Sequence, residues 1–574
     1  MLGDSDLSRP QSQRATMILN QRREVHAMKL RQGVAGALVG EGVDVVFALM
    51  GDANQDLICD LGERCGVRIV HGRHEQGVVG MADGYARFSG QPGVATVTQG
   101  PGLTNTATSL VVSTRRRVPV LVLAGDASLG DLHNPQGFDQ QAFAELMTGN
   151  GARVESERGL TDILATAFHR VRSGLPFVLS LPADVQNIDL GEGWDYQPYA
   201  PPPQRSSADP DLIGTASQVL SAARQPAVLA GRGAVASDAG AALRELGEAI
   251  GAPLMTTLLA NGLFSGHRLD AGVCGGLGDG RALRALEHCD VVVAIGAELN
   301  QWTTHFGSAL DGRRLVQIDT DPASFGRYHR PDVALLGDAT ATIRALTSRI
   351  SAEPGSLREP SAELMSILER LGPLDSSPYL DTECSVDPRH ALADIDRLLP
   401  AHRKVVIDGG HAAQVACQSL RASSPRDWTC TSVDFGAIGQ GLSVAIGGCF
   451  ARPGERITHV TADGALMMGL AEFDTAVRHS LPLTVVVLND QSMGQERHNL
   501  IHKGIPTSYT DYPSPDLVAL AGAYGATGYR IENPDQLDRL PAALAHDAGV
   551  VVVDIRINGD YLNPTSRDIA QHLG

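Results

Sequence analysis

The sequence predicts an α/β fold of three doubly wound parallel-sheet domains, and three observations carry that expectation. Short, almost wholly apolar segments alternate with longer helical stretches, the pattern of strands covered by helices on both faces. The alternation is interrupted twice, by the proline-rich Pro198-Tyr199-Ala200-Pro201-Pro202-Pro203 and by a Pro-, Ser- and Glu-rich stretch at about 352–385. A chain of 574 residues with 43 % hydrophobic content is long enough for about three separate cores.

Residues 1–24 are polar and punctuated by Gly3, Pro10 and several arginines, so they read as a loosely held extension. The first domain is expected over 25–195, with strands at Val45-Val46-Phe47-Ala48, Val67-Arg68-Ile69-Val70, Val94 to Val97, Val118 to Leu123 and Pro176 to Leu181. The second, over 208–350, repeats the pattern in Pro226 to Gly233, Asp290 to Gly296 and Arg314 to Asp319. Its strands end in Gly or Asp, as those of nucleotide-binding sheets often do. The third, over 386–574 with a C-terminal tail, carries Lys404 to Asp408, Ile457 to Thr461, Leu483 to Leu488 and Val550 to Asp554.

A formal charge of −18 argues against a nucleic-acid partner, which would need basic clusters. The short block Arg115-Arg116-Arg117 reads as a solvated helix end. Eight cysteines are scattered without a Cys-x-x-Cys, and no early apolar segment has signal-peptide character, which points to a reducing cytoplasm. No stretch approaches the roughly 20 apolar residues needed to cross a bilayer.

The most informative segment is Ala462-Asp463-Gly464, followed by the strand Leu483 to Leu488 and then Asn489-Asp490-Gln491-Ser492. Asp463 and Asp490 each follow an apolar strand. If those strands are neighbours, both carboxylates meet at one sheet edge, and the Ser492 carbonyl adds a third oxygen. Two ligand phosphate oxygens and water would then complete an octahedron suited to Mg²⁺. Gly464 lets the backbone, continuing through Ala465, approach phosphates. Read in isolation, the two aspartates equally fit ordinary strand-end turn residues.

This layout resembles the diphosphate-binding motif of thiamine-diphosphate enzymes, which begins Gly-Asp-Gly and ends Asn-Asn. Ala462 replaces the first glycine here, and Asp490 stands where many relatives carry the second asparagine. Upstream, Arg73-His74-Glu75-Gln76-Gly77 precedes an apolar helix, and Gln99-Gly100-Pro101-Gly102-Leu103-Thr104-Asn105 follows the strand Val94 to Thr98. Acetolactate-synthase-like enzymes carry a Gly-Pro-Gly-x-Thr-Asn segment in that place. Three motifs thus occur in family order over nearly the whole chain.

The resemblance implies thiamine diphosphate and Mg²⁺ as cofactors, with Asp463, Asp490 and Ser492 on the metal. Glu75 would hydrogen-bond the aminopyrimidine ring and promote activation of the thiazolium carbon, a task suited to a buried carboxyl of raised pKa; read alone, it is equally a helix first-turn carboxylate. In Phe435-Gly436-Ala437-Ile438-Gly439-Gln440-Gly441, Ile438 takes the place of the apolar wedge between the cofactor rings, and the Gly436 carbonyl would accept from the aminopyrimidine amine. Gly410 and His411 would cradle the diphosphate. Gln136 matches a glutamine facing the thiazolium in carboligases, and none of the 18 histidines forms the His-His pair of simple pyruvate decarboxylases. Glu496 stands where true acetolactate synthases are apolar and Asn499 where they carry tryptophan. An acidic residue there would relay protons or bind a polar substrate, with His498 bearing on the mouth of the site; otherwise Glu496 is a solvent-facing helix residue.

These features imply decarboxylation of a pyruvate-like 2-oxo acid with carboligation to a carbonyl acceptor. A C–C lyase of the benzaldehyde lyase kind, a non-ligating decarboxylase, or a non-catalytic paralogue are the alternatives. The middle domain holds FAD in acetolactate synthases; Gly231, Gly233, Gly275-Gly276 and Asn300 to Thr303 are compatible with it and equally with its loss. In this family the first and third domains meet across a subunit interface, which implies a homodimer or homotetramer.

Overall fold

The computed structural model describes residues 28–200, 204–352, 358–369, 375–564 and 566–567. The extension expected at 1–24 and the prolines at 201–203 lie outside them. Three six-stranded sheets, each parallel throughout, carry the fold, as the apolar alternation predicts.

The first sheet comprises β1 (Val45–Ala48), β2 (Arg68–His71), β3 (Gly93–Val97), β4 (Val120–Asp126), β5 (Gly151–Arg153) and β6 (Phe177–Pro182). The second comprises β7 (Pro226–Ala230), β8 (Leu254–Thr256), β9 (Asp270–Val273), β10 (Val291–Ile295), β11 (Arg314–Asp319) and β12 (Val333–Leu336). The third comprises β13 (Lys404–Ile407), β14 (Trp428–Cys430), β15 (Ile457–Ala462), β16 (Leu483–Asn489), β17 (Thr527–Ile531) and β18 (Val550–Arg556).

The first sheet runs β2-β1-β3-β4-β6-β5 and the third β14-β13-β15-β16-β18-β17, the same order counted within each. The middle sheet, β12-β11-β10-β7-β8-β9, has the strand order of dinucleotide-binding folds, with its reversal between β7 and β10. The strands without a sequence signature, β5, β8, β9, β12, β14 and β17, lie at or beside sheet edges. Such strands are short, and most carry polar or glycine residues, as in Gly151-Ala152-Arg153 and Asp270-Ala271-Gly272-Val273; β12, Val333-Ala334-Leu335-Leu336, is apolar but only four residues long.

Seven helices matter for the site: α1 (Glu75–Ser89), α2 (Ala107–Arg116), α3 (His411–Ser419), α4 (Gly441–Ala451), α5 (Asp463–Met468), α6 (Ala471–Arg478) and α7 (Gly494–His502). Helices α1 and α4 join the first and third sheets, and their backbones touch. A Cβ on Gly84 would lie 2.0 Å from the Val444 carbonyl oxygen, and one on Gly447 1.9 Å from that of Met81. One apolar core therefore runs from Phe47 and Val78 through Ile446 to Leu483. Beside this crossing, Arg87 is buried between Asp83 and Asp434, with its guanidinium 2.9 Å from the latter. Arg116 completes the network at 3.7 Å from Asp434. It is thus enclosed rather than solvated, because the end of α2 abuts the segment leading into Phe435; Arg115 and Arg117 are exposed and line a cavity.

Candidate active site

The site is built at the C-terminal edge of the third sheet, where strand ends and helix starts converge. Strands β15 and β16 are neighbours in register, Ala462 opposite Leu488, so the residues that follow them are brought together. Asp463, at the start of α5, is buried at 1 % exposure, and its Oδ2 accepts from the Ser514 hydroxyl. Asp490 Oδ1 accepts from Ser492 N at 3.0 Å. Burial, and then the Asp463 carboxylate, push the Asp490 carboxyl up to about 6. Asp463 is pushed up mainly by burial, against the Ser514 hydrogen bond.

Among the described residues several polar atoms here are buried without a hydrogen-bond partner: Asp463 Oδ1, Ser492 Oγ and both ring nitrogens of His411, whose Nδ1 stands 3.9 Å from Asp490 Oδ2. Buried polar atoms gathered in one place fit a bound ion or polar ligand. His411 opens α3, whose Gly410 N-cap has φ +109°, and burial with the neighbouring His498 holds its ring near neutral, down to about 4. His498 itself is buried against that ring, with centroids 4.5 Å apart, and does not reach the mouth of the site. Among the described residues no group of three or more His, Cys, Asp or Glu side chains converges on one point. A cation here would draw on two carboxylates, backbone oxygen and ligand oxygens, as a magnesium diphosphate does.

A cavity of about 1630 Å³ opens from this edge. Gly410, His411, Gly436, Ile438, Gly464, Ala465, Asp490, Ser492 and Glu496 all line it. Ile438 stands exposed on the turn between Gly436 and Gly441, and that turn is pinned by a residue whose role the sequence hides. Asp408, buried at the end of β13, accepts from the backbone N–H of Gly409 at 2.7 Å, Gly439 at 3.2 Å and Gly441 at 3.0 Å. Burial raises its carboxyl; the facing His459 and these bonds oppose the rise. Its place before Gly409-Gly410-His411 was the available signal. Glu496 is exposed on α7, at the cavity lining, and has no charged partner among the described residues, whereas adjacent Arg497 is held by Asp511 and Asp560.

The upstream motifs form a second cluster at the edge of the first sheet. Glu75 is the first residue of α1, and its Oε2 accepts from Asn105 Nδ2 at 2.9 Å. The segment before it is anchored to α6, where Glu472 Oε1 accepts from the N–H groups of Arg73 and His74, both at 2.9 Å. Gln136 accepts from Gln99 Nε2 at 2.8 Å and backs onto Gly100. Glu75 is half-buried rather than enclosed, because a helix start at a sheet edge is open on one side. Neither Glu75 nor Gln136 lines the cavity of its own chain.

The cavity continues to the strand reversal of the middle sheet, where Arg232, Gln317 and Asp319 line it. Burial, with Arg117 and Arg116 nearby, holds Arg232 down to about 10. Gly231 packs on the Gly296 loop, where a Cβ would lie 2.3 Å from the Gly296 carbonyl oxygen, and Gly233 packs on the same loop while lining the cavity.

Family models agree with this layout. The thiamine pyrophosphate enzyme N-terminal TPP binding domain matches residues 28–147, the central domain 213–346, and the C-terminal TPP binding domain 408–555. The chain is 30 % identical to the acetolactate synthase isozyme 3 large subunit of Escherichia coli K12, covering 92 % of this chain and 94 % of that protein. It is 32 % identical to a Pseudomonas aeruginosa protein named "Probable 2-ketoarginine decarboxylase AruI", covering 92 % and 93 %. Against the acetolactate synthase of Bacillus subtilis 168 the identity is 28 %, covering 94 % and 95 %. With buried oxygens and nitrogens gathered at the third sheet's edge, three matching family models and relatives aligned over more than nine-tenths of both partners, the chain belongs to the thiamine pyrophosphate enzymes of the acetolactate-synthase-like kind.

Proposed function

We propose that the protein is a Mg²⁺- and thiamine diphosphate-dependent enzyme that decarboxylates a pyruvate-like 2-oxo acid and joins the product to a carbonyl acceptor. The observation that carries this reading is the group of unpartnered buried atoms on Asp463, Ser492 and His411 at the cavity that Ile438 enters. When bound, thiamine diphosphate supplies the electron sink that lets a 2-oxo acid lose CO₂. Asp463, Asp490 and the Ser492 carbonyl would hold the metal, and Gly410, His411, Gly464 and Ala465 the diphosphate. Ile438 and Gly436 would set the angle between the rings, on a turn that Asp408 keeps in place.

Glu75 would protonate and deprotonate the aminopyrimidine, and Gln136 would orient the acceptor. Since neither lines the cavity of its own chain, a second copy supplies them in this reading, as a homodimer or homotetramer. Exposed apolar residues on both surfaces, Leu132 and Phe138 on the first domain and Phe435, Met468 and Met493 on the third, support such an interface. FAD in the middle domain is supported by its strand order and by Arg232 and Gly233 in the cavity wall, while the packing of Gly231 weighs against it. Among the described residues no helix is long and apolar enough to cross a membrane; the scattered free thiols favour a cytoplasmic protein, and the formal charge of −18 weighs against a nucleic-acid partner.

A second reading, decarboxylation or C–C cleavage without ligation, is favoured by the Glu496 carboxylate in the cavity, where it can deliver a proton instead of admitting an acceptor. The Pseudomonas relative named for 2-ketoarginine decarboxylation supports it too. Mass spectrometry of bound small molecules tests the cofactor. A panel of 2-oxo acids and aldehydes, following CO₂ and coupled product in parallel, separates the two readings: free aldehyde with every acceptor and no new C–C bond would sink the ligase.

A further inference from the structure

Helix α1 carries half of a capping box. Its N-cap residue His74 accepts through Nδ1 from the Gln76 N–H at 3.1 Å, which meets one of the free donors of the first turn. The reciprocal bond would run from a Glu or Gln side chain at the third helical position back to the N-cap N–H, but that position is Gly77. The third domain makes the bond instead. Glu472 on α6 is 2 % exposed, and its Oε1 accepts from the N–H groups of His74 and Arg73, both at 2.9 Å. Its Oε2 accepts from the Thr475 hydroxyl at 2.7 Å, so the carboxylate is itself held in place. Gly77 makes the room: a Cβ there would lie 2.3 Å from Glu472 Oε1, and its three nearest atoms all belong to Glu472. Two more residues of α6 grip the same segment. Arg478 donates to the His71 carbonyl at 2.7 Å, and Asp474 pairs with Arg73 at 2.6 Å.

We propose that Glu472 is a positioning residue for Glu75: it supplies from another domain the capping carboxylate that Gly77 cannot, and so fixes where the Glu75 carboxyl stands. A carboxylate facing two N–H groups at a helix start makes charge-assisted bonds and is favoured by the helix dipole. Glu75 follows His74 directly, so a clamp on the amides of residues 73 and 74 sets the backbone from which its side chain leaves. Asn105 Nδ2, at 2.9 Å from Glu75 Oε2, sets the other end. Proton transfer demands hydrogen-bond reach between donor and acceptor, and a side chain fixed at root and tip can be presented at that reach without searching for it. Glu472 is enclosed behind the segment, so it acts through Glu75 and not on a ligand. The consequence for the cofactor rests on the role proposed for Glu75 above; the clamp on α1 does not.

Two measurements on the full-length protein test this. In the cofactor-free protein, hydrogen exchange followed by mass spectrometry on peptides covering 71–80 should run about tenfold faster in Glu472→Ala than in wild type, the ratio that loss of a helix cap corresponds to. Glu472→Gln keeps an oxygen before both amides and should stay near wild type. With thiamine diphosphate and Mg²⁺ bound, exchange of the thiazolium proton, read by quenched NMR, should fall on the order of 100-fold in Glu472→Ala, the effect of a misplacement of about 1 Å, and recover in Glu472→Gln. The affinity for thiamine diphosphate with Mg²⁺ should stay unchanged in both. Adding Gly77→Gln to Glu472→Ala returns a capping side chain to the helix itself and should restore both readouts. If Glu472→Ala does not fold, Glu472→Asp, one methylene short of both amides, takes its place. Equal amide protection in variant and wild type overturns the clamp. A loosened segment with unchanged thiazolium exchange, or an affinity that falls as far as the exchange rate, overturns the positioning role. Should Glu75→Gln exchange the thiazolium proton as fast as wild type, the role of Glu75 fails and the positioning role with it, while amide protection still decides the clamp.

Discussion

Replacing Asp490 by asparagine, the residue that stands there in the related diphosphate motif, isolates the cost of holding two carboxylates at adjacent strand ends. Burial and Asp463 move the Asp490 carboxyl from its ordinary 3.8 to about 6. For an acid, a folded-state value above the unfolded one means that ionisation opposes folding. The penalty is absent below about pH 4, grows between about 4 and 6, and is complete above that. At about 1.4 kcal/mol per pH unit the gap corresponds to about 3 kcal/mol. Relaxation and water entry around a real buried charge reduce this to about 2 kcal/mol. Asp490→Asn keeps an oxygen and removes the charge, so in metal-free buffer at about pH 7.5 it should be more stable by that amount, with a melting temperature higher by roughly 4–8 °C if the third domain unfolds as one unit. At about pH 4 the difference should vanish. With Mg²⁺ and thiamine diphosphate the ordering should narrow or invert, because the cation turns the second carboxylate from a penalty into a ligand. Differential scanning calorimetry with and without chelator across this pH range measures all three. A metal-free variant that is no more stable than wild type near pH 7.5, or a difference that does not change with pH, would refute the argument.

Five further substitutions have expected outcomes. Asp463→Ala should fold yet lose the thermal stabilisation that thiamine diphosphate with Mg²⁺ confers; an unchanged ligand-induced shift excludes the metal site. Glu75→Gln should retain the diphosphate, since the metal carboxylates lie on another domain, but should exchange the thiazolium proton far more slowly, and equal rates by quenched NMR defeat its assignment. Gln136→Ala should lose coupled product more than CO₂ release, and Glu496→Gln should shift the acceptor range, with aldehyde and 2-oxo acid panels as the readout. Asp408→Ala leaves the amides of Gly439 and Gly441 without an acceptor and should lower stability by about 2–4 kcal/mol in chemical denaturation; a cost below about 0.5 kcal/mol contradicts its role in pinning the turn.

What could be read from the chain alone follows from how locally each feature is encoded. Central strands such as β16, Leu483-Thr484-Val485-Val486-Val487-Leu488-Asn489, are buried throughout, so composition marks them, whereas the polar or glycine-containing edge strands β5, β9 and β17 depend on a neighbour for their conformation. Asp463 and Asp490 were legible as partners because each follows its own apolar strand and one register pairing brings both to the same edge. Asp408 was visible only as a strand end, since three glycine amides more than locally distant in part, at 409, 439 and 441, give it its purpose. The role of Arg116 was not legible, because it arises where a helix end meets a segment remote in sequence. Glu75 marks the deeper boundary. Its motif announces a buried carboxyl, yet in one chain it is half-open beside Asn105 and away from the cavity that holds Ile438. A motif records the environment in which a residue works, and in the proposed dimer a second copy of the chain would supply that environment.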